Sequence, residues 1–334
     1  MHYIHTLIAG NVWAAWLVLA ISFAVLAKCA DIFVESAVSL AYRFKLPKLI
    51  VGIVLVSFAT TAPELAVSVM SAIRGNAQIA LGNAVGSVLC DTGLGLALCA
   101  LCAAGAVTLT PRVVKQAGTF LIVVALMAFG FTAFDYTLSR GEGALLVLAF
   151  GVYMVILFRS HRRGREVDED EWENIEAHPD FSLPRLLILF VVALGGILLT
   201  SDLIVGSATT IAHALHIPEG IIALTLVALG TSVPEVATCI AAARKGHAAL
   251  AVGNILGADI MNICWVAGAS SMINDLTLTR GQILFMFPVM LLLVGTAQVL
   301  LRRRWRLVRW HGYVLLGLYL LYLLASFLIF RPTA

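Results

Sequence analysis

Ten stretches of this sequence are apolar for long enough to cross a bilayer, at roughly 11–42, 49–73, 78–105, 112–131, 143–159, 183–213, 219–243, 248–272, 281–301 and 311–330. About 20 residues of helix span a hydrocarbon core, and in lipid a segment has to satisfy its own backbone hydrogen bonds. The expected fold class is therefore an all-α membrane protein of ten transmembrane helices. Composition agrees: 61% hydrophobic and 12% charged residues, against about 45–50% apolar and 25% charged in soluble domains. The opening MHYIHTLIAGN has neither a positive n-region nor a small-residue cleavage site, so it reads as a short tail before the first helix.

Basic residues mark the cytoplasmic side. Of the 22 Lys and Arg, 17 fall in the loops after the odd-numbered helices, which places both termini outside. Arg302, Arg303, Arg304, Arg306 and Arg309 share one such loop and read as a topology signal, with no nucleic-acid partner implied. All six cysteines lie in apolar spans. Cys99 and Cys102 form a CxxC with no second pair at lipid depth, which favours packing over redox or zinc chemistry.

The chain is also duplicated. A constant shift of 171 sets Val51 to Asp91 beside Ile222 to Asn262 with 13 identities in 41 positions, where chance gives about three or four. Thr60, Pro63, Glu64, Gly75, Gly82, Asn83 and Gly86 recur as Thr231, Pro234, Glu235, Gly246, Gly253, Asn254 and Gly257, and Asp31 pairs with Asp202. The division is a first repeat at 1–160, an acidic cytoplasmic linker at 161–182 and a second repeat at 183–334. The linker holds eight of the nineteen acidic residues, but DEDEWENIE lacks the glycine and oxygen spacing of an EF-hand, so it reads as a solvated connector. Five helices is an odd number, so the second repeat enters the membrane from the opposite side. Inverted repeats are the signature of secondary transporters, whose site lies at the repeat interface near the midplane.

Within the second span of each repeat stand SFATTAPELA and ALGTSVPEVA. A proline just before each glutamate removes an amide donor and frees a carbonyl of Ala59 or Thr60, and of Gly230 or Thr231. Proline kinks and back-bonded hydroxyls are ordinary in membrane helices. A glutamate at depth is not, costing at least about 2.5–3.5 kcal/mol on insertion, and two at matching positions call for a cation between them. The next spans read GNAVGSVLCD and GNILGADIMN, whose glycines at i and i+4 allow close helix approach before Asp91 or Asn262. The residues thus place Glu64, Glu235, Asp91 and Asn262 in one site, with the hydroxyls of Thr60, Thr61, Ser87, Thr231 and Ser232.

These motifs, TTAPE with GNAVGS and TSVPE with GNILGA, resemble the alpha repeats of the sodium/calcium exchanger family, within the cation/calcium antiporter superfamily and of prokaryotic type. The resemblance covers essentially the whole chain. It implies a Na+/Ca2+ antiporter working by alternating access, not an enzyme, with long tilted helices 1 and 6 sliding past a core and a diamond of four ion sites. It adds the backbone carbonyls of Ser57 and Ala228 as ligands. It also implies Ca2+ and Na+ as transported substrates, no cofactor, no obligate protein partner beyond the bilayer, and the prokaryotic inner membrane as location. Two departures stand out: Asp91 precedes Asn262 where relatives often carry Asn first, and Ala258 replaces the usual Ser.

Asp31 and Glu35 toward one end of helix 1, and Asp202 in helix 6, either recruit ions at the vestibules or form local pairs such as Lys28 with Asp31. Asp259 either joins the site or bonds to a neighbour, the second being favoured. A proton-coupled antiporter is the nearest alternative, but such relatives usually carry Glu where this chain has Gly86 and Gly257. Potassium dependence stays open. An intramembrane protease lacks its GxGD pair, and His213 and His216 lie at a helix end. A channel shares the acids but not the need for inverted symmetry.

Overall fold

The computed structural model describes residues 11–44, 48–163, 181–214 and 227–329. The terminal tails, most of the acidic linker, Lys45, His216 and the start of the span expected at 219–243 lie outside the described residues. In chain order the helices are α1 (Val12–Phe44), α2 (Lys48–Val51), α3 (Ser57–Thr60), α4 (Ala62–Ile73), α5 (Ala77–Cys90), α6 (Leu96–Cys102), α7 (Pro111–Asp135) and α8 (Arg140–Arg163). They continue with α9 (Leu183–Ala214), α10 (Val227–Thr231), α11 (Val233–Arg244), α12 (Ala248–Met261), α13 (Gly268–Ile273), α14 (Arg280–Arg302) and α15 (Arg309–Ile329). Wider π-helical turns occupy Gly52–Val56, Asp91–Gly95 and Asn262–Ala267.

Eight helical stretches among the described residues are long and apolar enough to cross a membrane, and a ninth, Gly52–Thr60 with Ala62–Ile73, does so with a 50° bend. The chain is therefore an all-α multi-pass membrane protein. The span expected as one helix at 49–73 is a broken one, and the described part of its counterpart, α10 with α11, is broken at the equivalent residue. The reason is local: Thr61 and Ser232 both leave the helical region, with φ −79° and ψ 1° and 0°.

The two long helices set the outer wall. With 33 and 32 residues, α1 and α9 are each about 50 Å long at 1.5 Å per residue, which exceeds a hydrocarbon core of about 30 Å and requires tilt. They pack along one another, with Phe33 against Phe190 at 4.5 Å between ring centroids. A Cβ on Gly196 would run into the Cys29 sulfur, so glycine lets the two backbones close up. Behind this wall, α5 and α12 are buried on nearly all sides.

The backbone repeats as the sequence does. Gly75 and Gly246 both adopt φ +76°, a left-handed conformation that glycine takes without strain. They close matching helix ends, with the Asn76 amide donating to Ser71 O at 2.8 Å and the His247 amide to Ala242 O at 2.7 Å. Four two-residue strands, β1 (Val107–Thr108), β2 (Thr137–Leu138), β3 (Leu276–Thr277) and β4 (Arg306–Leu307), form two antiparallel ribbons that join the halves, β1 with β4 and β2 with β3.

Candidate ion-binding site

Proline explains where each broken span restarts. Pro63 and Pro234 are second in α4 and α11, in a first turn whose amides have no helical acceptor, so the missing N–H costs nothing there. They open a new helix and do not merely kink an old one. Glu64 and Glu235 follow as third residues, facing the positive end of the new helix's dipole. The Ser57 carbonyl accepts from the Thr61 amide at 2.8 Å, which leaves it a second lone pair, whereas the Ala228 carbonyl accepts from both the Ser232 amide at 3.1 Å and the Thr231 hydroxyl at 3.2 Å.

The next helix of each repeat reaches across to the other repeat. Asn83 accepts from the Thr231 hydroxyl at 3.0 Å, while its amide donates to Ser68 Oγ at 3.0 Å and to the Glu64 carbonyl at 3.3 Å. Asn254 mirrors it, accepting from Thr60 at 3.3 Å and donating to Thr238 Oγ1 at 3.1 Å. A Cβ on Gly86 would stand 2.7 Å from the Ala228 Cβ, and one on Gly257 would stand 2.5 Å from both Ile53 O and Ser57 Oγ. The same glycine therefore seats each helix against the equivalent residue of the opposite repeat. Asn83, Asn254, Ser68 and Thr238 are neighbours of the candidate site that the sequence reading did not place in it. The recurrence of Asn in GNAVG and GNILG was the available signal.

All of Ser57, Thr60, Thr61, Glu64, Ser87, Asp91, Ala228, Thr231, Ser232, Glu235 and Asn262 are buried. The structure brings most of them together across the repeats. Thr61 donates to Glu235 Oε1 at 3.3 Å, Asn262 donates to Asp91 Oδ2 at 3.3 Å, and Ser87 lies 3.4 Å from the Thr231 hydroxyl. The Ser57 hydroxyl is instead engaged by the Ile53 carbonyl. Asp91 and Asn262 each begin a π turn, a distortion frequent at functional sites, which no sequence period announces.

What distinguishes the site is its unspent oxygen. Both carboxylate oxygens of Glu64 and one each of Glu235, Asp91, Asp259 and Asn262, with the Ser232 hydroxyl, are buried without a hydrogen-bond partner. Glu64 repels Glu235 and Asp91, and Asp91 repels Glu235 and Asp259. Such groups are expensive to bury unless a cation answers them. Among the described residues no three His, Cys, Asp or Glu side chains converge on one metal position, so an ion here would need carboxylates mixed with hydroxyl and carbonyl oxygens.

The outlying acids behave otherwise. Glu35 and Asp31 do not rely on Lys28: they face Lys245, which ends α11's restarted span, at 2.6 and 4.0 Å. Asp202 lies on the exposed side of α9. Between α1, α9, α10 and α11 is a cavity of about 440 Å³, lined almost wholly by apolar side chains such as Phe23, Leu26, Ile204 and Val233. It has the chemistry of a packing gap beside the long helices, not of an ion site.

Comparison with known proteins agrees with this architecture. The family described as sodium/calcium exchanger protein matches residues 14–159 and 185–328. The chain is 33% identical over 248 residues to the inner membrane protein YrbG of Escherichia coli (strain K12), covering 73% of this chain and 75% of that protein. It is 28% identical over 357 residues to the sodium/calcium exchanger MaX1 of Methanosarcina acetivorans, covering 94% and 99%. A solved structure of the sodium-calcium exchanger NCX_Mj superposes with a TM-score of 0.79 at 25% identity, covering 95% of this chain and 99% of that one. With the family pattern falling separately on each half of a duplicated chain, and the paired glutamates within it, this protein belongs to the sodium/calcium exchanger family.

Proposed function

We propose that this chain is a secondary antiporter that exchanges Na+ for Ca2+ across the membrane by alternating access. The observation that carries the reading is the pair Glu64 and Glu235, supplied by opposite repeats, each at the head of a broken helix and both buried with oxygens left over. Calcium takes six to eight oxygen ligands. Glu64, Glu235, Asp91 and Asn262, the hydroxyls of Thr60, Thr61, Ser87, Thr231 and Ser232, and the carbonyls of Ser57 and Ala228 offer that number from both repeats. Sodium ions occupy the same oxygens in turn. The crowding at Gly86 and Gly257 leaves no room for the glutamate that a proton-coupled relative carries there.

The topology proposed with it is ten helices in two inverted repeats of five, 1–160 and 183–334, joined by the cytoplasmic linker 161–182, with both termini outside the prokaryotic inner membrane. The ribbons support it: β1 follows the third span and pairs with β4 after the ninth, and β2 after the fourth pairs with β3 after the eighth. Loops of equal parity are tied, as the alternation of sides requires. A cysteine introduced at Arg304 should react with an impermeant thiol reagent from the cytoplasmic side alone; reaction only from outside would reverse the orientation.

Alternating access then assigns α1 and α9 the moving part. They pack on each other more extensively than on the core, an apolar cavity opens between them and part of the broken span, and Lys245 with Glu35 ties wall to core on one side. The deciding experiment is 45Ca2+ uptake into proteoliposomes loaded in turn with Na+, K+ or a proton gradient. Uptake should require internal Na+; uptake that follows a pH gradient and ignores Na+ would overturn the assignment.

A further inference from the structure

We propose that the apolar groove between α1 and α11 holds one acyl chain of a phospholipid whose phosphate is bound by Arg244. The groove is the cavity of about 440 Å³ beside the long helices, within the roughly 300–1,000 Å³ usual for ligand sites. Leu19, Phe23 and Leu26 line it from α1, and Val233, Ala237 and Ile240 from α11. Each set recurs every three to four residues, so each forms a single stripe along its helix. Both stripes run toward the same charged end, where Asp31 and Arg244 complete the lining. From Val233 to Arg244, the whole of α11, is about 17 Å at 1.5 Å per residue, close to half of a hydrocarbon core of about 30 Å. The trough is as long as one leaflet is deep. Phe23 on its wall is 51% exposed, so the protein leaves the groove open to the lipid around it.

The charged end selects the headgroup. Lys245 is engaged, facing Glu35 at 2.6 Å and Asp31 at 4.0 Å. Among the described residues the neighbouring Arg244 guanidinium makes neither an ion pair nor a hydrogen bond, and Arg244 is exposed. A guanidinium matches phosphate with two parallel hydrogen bonds, and basic pockets between helices at the cytoplasmic surface take lipid headgroups. An apolar trough that ends in an uncommitted cation therefore suits an amphiphile with an anionic polar end. Asp31 and Glu35 balance Arg244 and Lys245, so the rim as a whole is neutral and a zwitterionic headgroup meets no net repulsion. The first repeat lacks both features: at the shift of 171, Met70 stands in place of the groove-lining Ala241 and Ile73 in place of Arg244. Room for the chain and charge for the phosphate occur together, in the second repeat.

The leaflet is the cytoplasmic one on the topology proposed above, but the site itself does not depend on the exchange reading. Its test is photolabelling of the purified full chain in detergent micelles by phosphatidylethanolamine that carries a diazirine in one acyl chain, with the adducts mapped by peptide mass spectrometry. Diacylglycerol with the same chain and no phosphate is the paired probe. Wild type should be labelled along the groove stripes of α1 and α11, about tenfold more by the phospholipid than by the diacylglycerol. Arg244→Ile should abolish that preference, and Ala241→Met should reduce groove labelling by both probes. Each variant installs the residue that the first repeat carries at the equivalent position. Labelling around Leu292 and Leu320, exposed on α14 and α15, should stay constant and reports that the variants are folded. Equal groove labelling by the two probes in wild type overturns the proposal without recourse to any variant. So does an undiminished preference in Arg244→Ile, or groove labelling that ignores Ala241→Met. Na+-independent 45Ca2+ flux in wild type would sink the exchange reading and leave the labelling pattern standing.

Discussion

The two repeats differ where charge sits and agree where backbone bends. Both break at the same residue, Thr61 or Ser232, restart on a proline, turn at a left-handed glycine and reach across with an asparagine. Along the following helix the agreement stops: Ser87, Val88 and Asp91 of the first repeat stand opposite Ala258, Asp259 and Asn262 of the second. The two halves therefore share a backbone scaffold and differ in the number and placement of their negative charges. Shape is symmetric here, and charge is not.

The most severe way to break the comparison is at the positions that never diverged. Glu64→Gln and Glu235→Gln keep volume and one oxygen but remove a charge that a divalent ion needs. Each should reduce Na+-dependent Ca2+ flux at least about a hundredfold, a loss of some 2.7 kcal/mol, with the protein still folded by thermal melting. Near-normal flux in either would make the glutamates structural.

Next comes the asymmetric pair. Asp91→Asn removes a carboxylate from a low-dielectric site, where one charge is worth several kcal/mol before relaxation, so Ca2+ binding should fall strongly. If the count of charges matters more than the repeat that supplies them, Asp91→Asn with Asn262→Asp should recover much of it. Recovery stays partial, because Ala258 leaves the second repeat one hydroxyl short of Ser87 in the first. Flux in wild type, both single variants and the double is the measurement; full activity in Asp91→Asn would remove Asp91 from the site.

The smallest effect should come from the packing glycines. An added methyl at Gly257 meets backbone, Ile53 O at 2.5 Å and Ile53 Cα at 2.8 Å, whereas at Gly86 it meets only the Ala228 methyl at 2.7 Å. Backbone yields less than a side chain. Overpacking typically costs about 1–3 kcal/mol, so Gly257→Ala should lower the melting temperature more than Gly86→Ala. The reverse order would show that the two interfaces are not equivalent in the way their sequences are.

The sequence made the scaffold readable because lipid imposes a blunt rule: long apolar runs are spans, and an acid within one needs a reason. That rule exposed Glu64, Glu235 and the repeat. It could not expose contacts that depend on tertiary placement. Thr92 and Asp259 are 167 residues apart, and Lys245 lies 210 residues from Glu35, so neither the vestibule reading nor the local Lys28–Asp31 pair included Lys245. The π turns at Asp91 and Asn262 were hidden for another reason: they widen a helix by one residue without altering its apolar character. Asn83 and Asn254 stood in plain view within the GN motif, but their partners lie on the opposite repeat and carry no sequence mark.

The central claim is coupling, and reversing the gradient tests it most directly. With three Na+ per Ca2+, as the family resemblance implies, a tenfold Na+ gradient supplies about 4 kcal/mol and 100 mV about 2.3 more, enough for four to five decades of Ca2+ gradient. Proteoliposomes preloaded with Na+ and diluted into Na+-free buffer should accumulate 45Ca2+, and adding the same Na+ concentration outside should release it. Accumulation that persists when the Na+ gradient is inverted would contradict Na+/Ca2+ exchange by this protein.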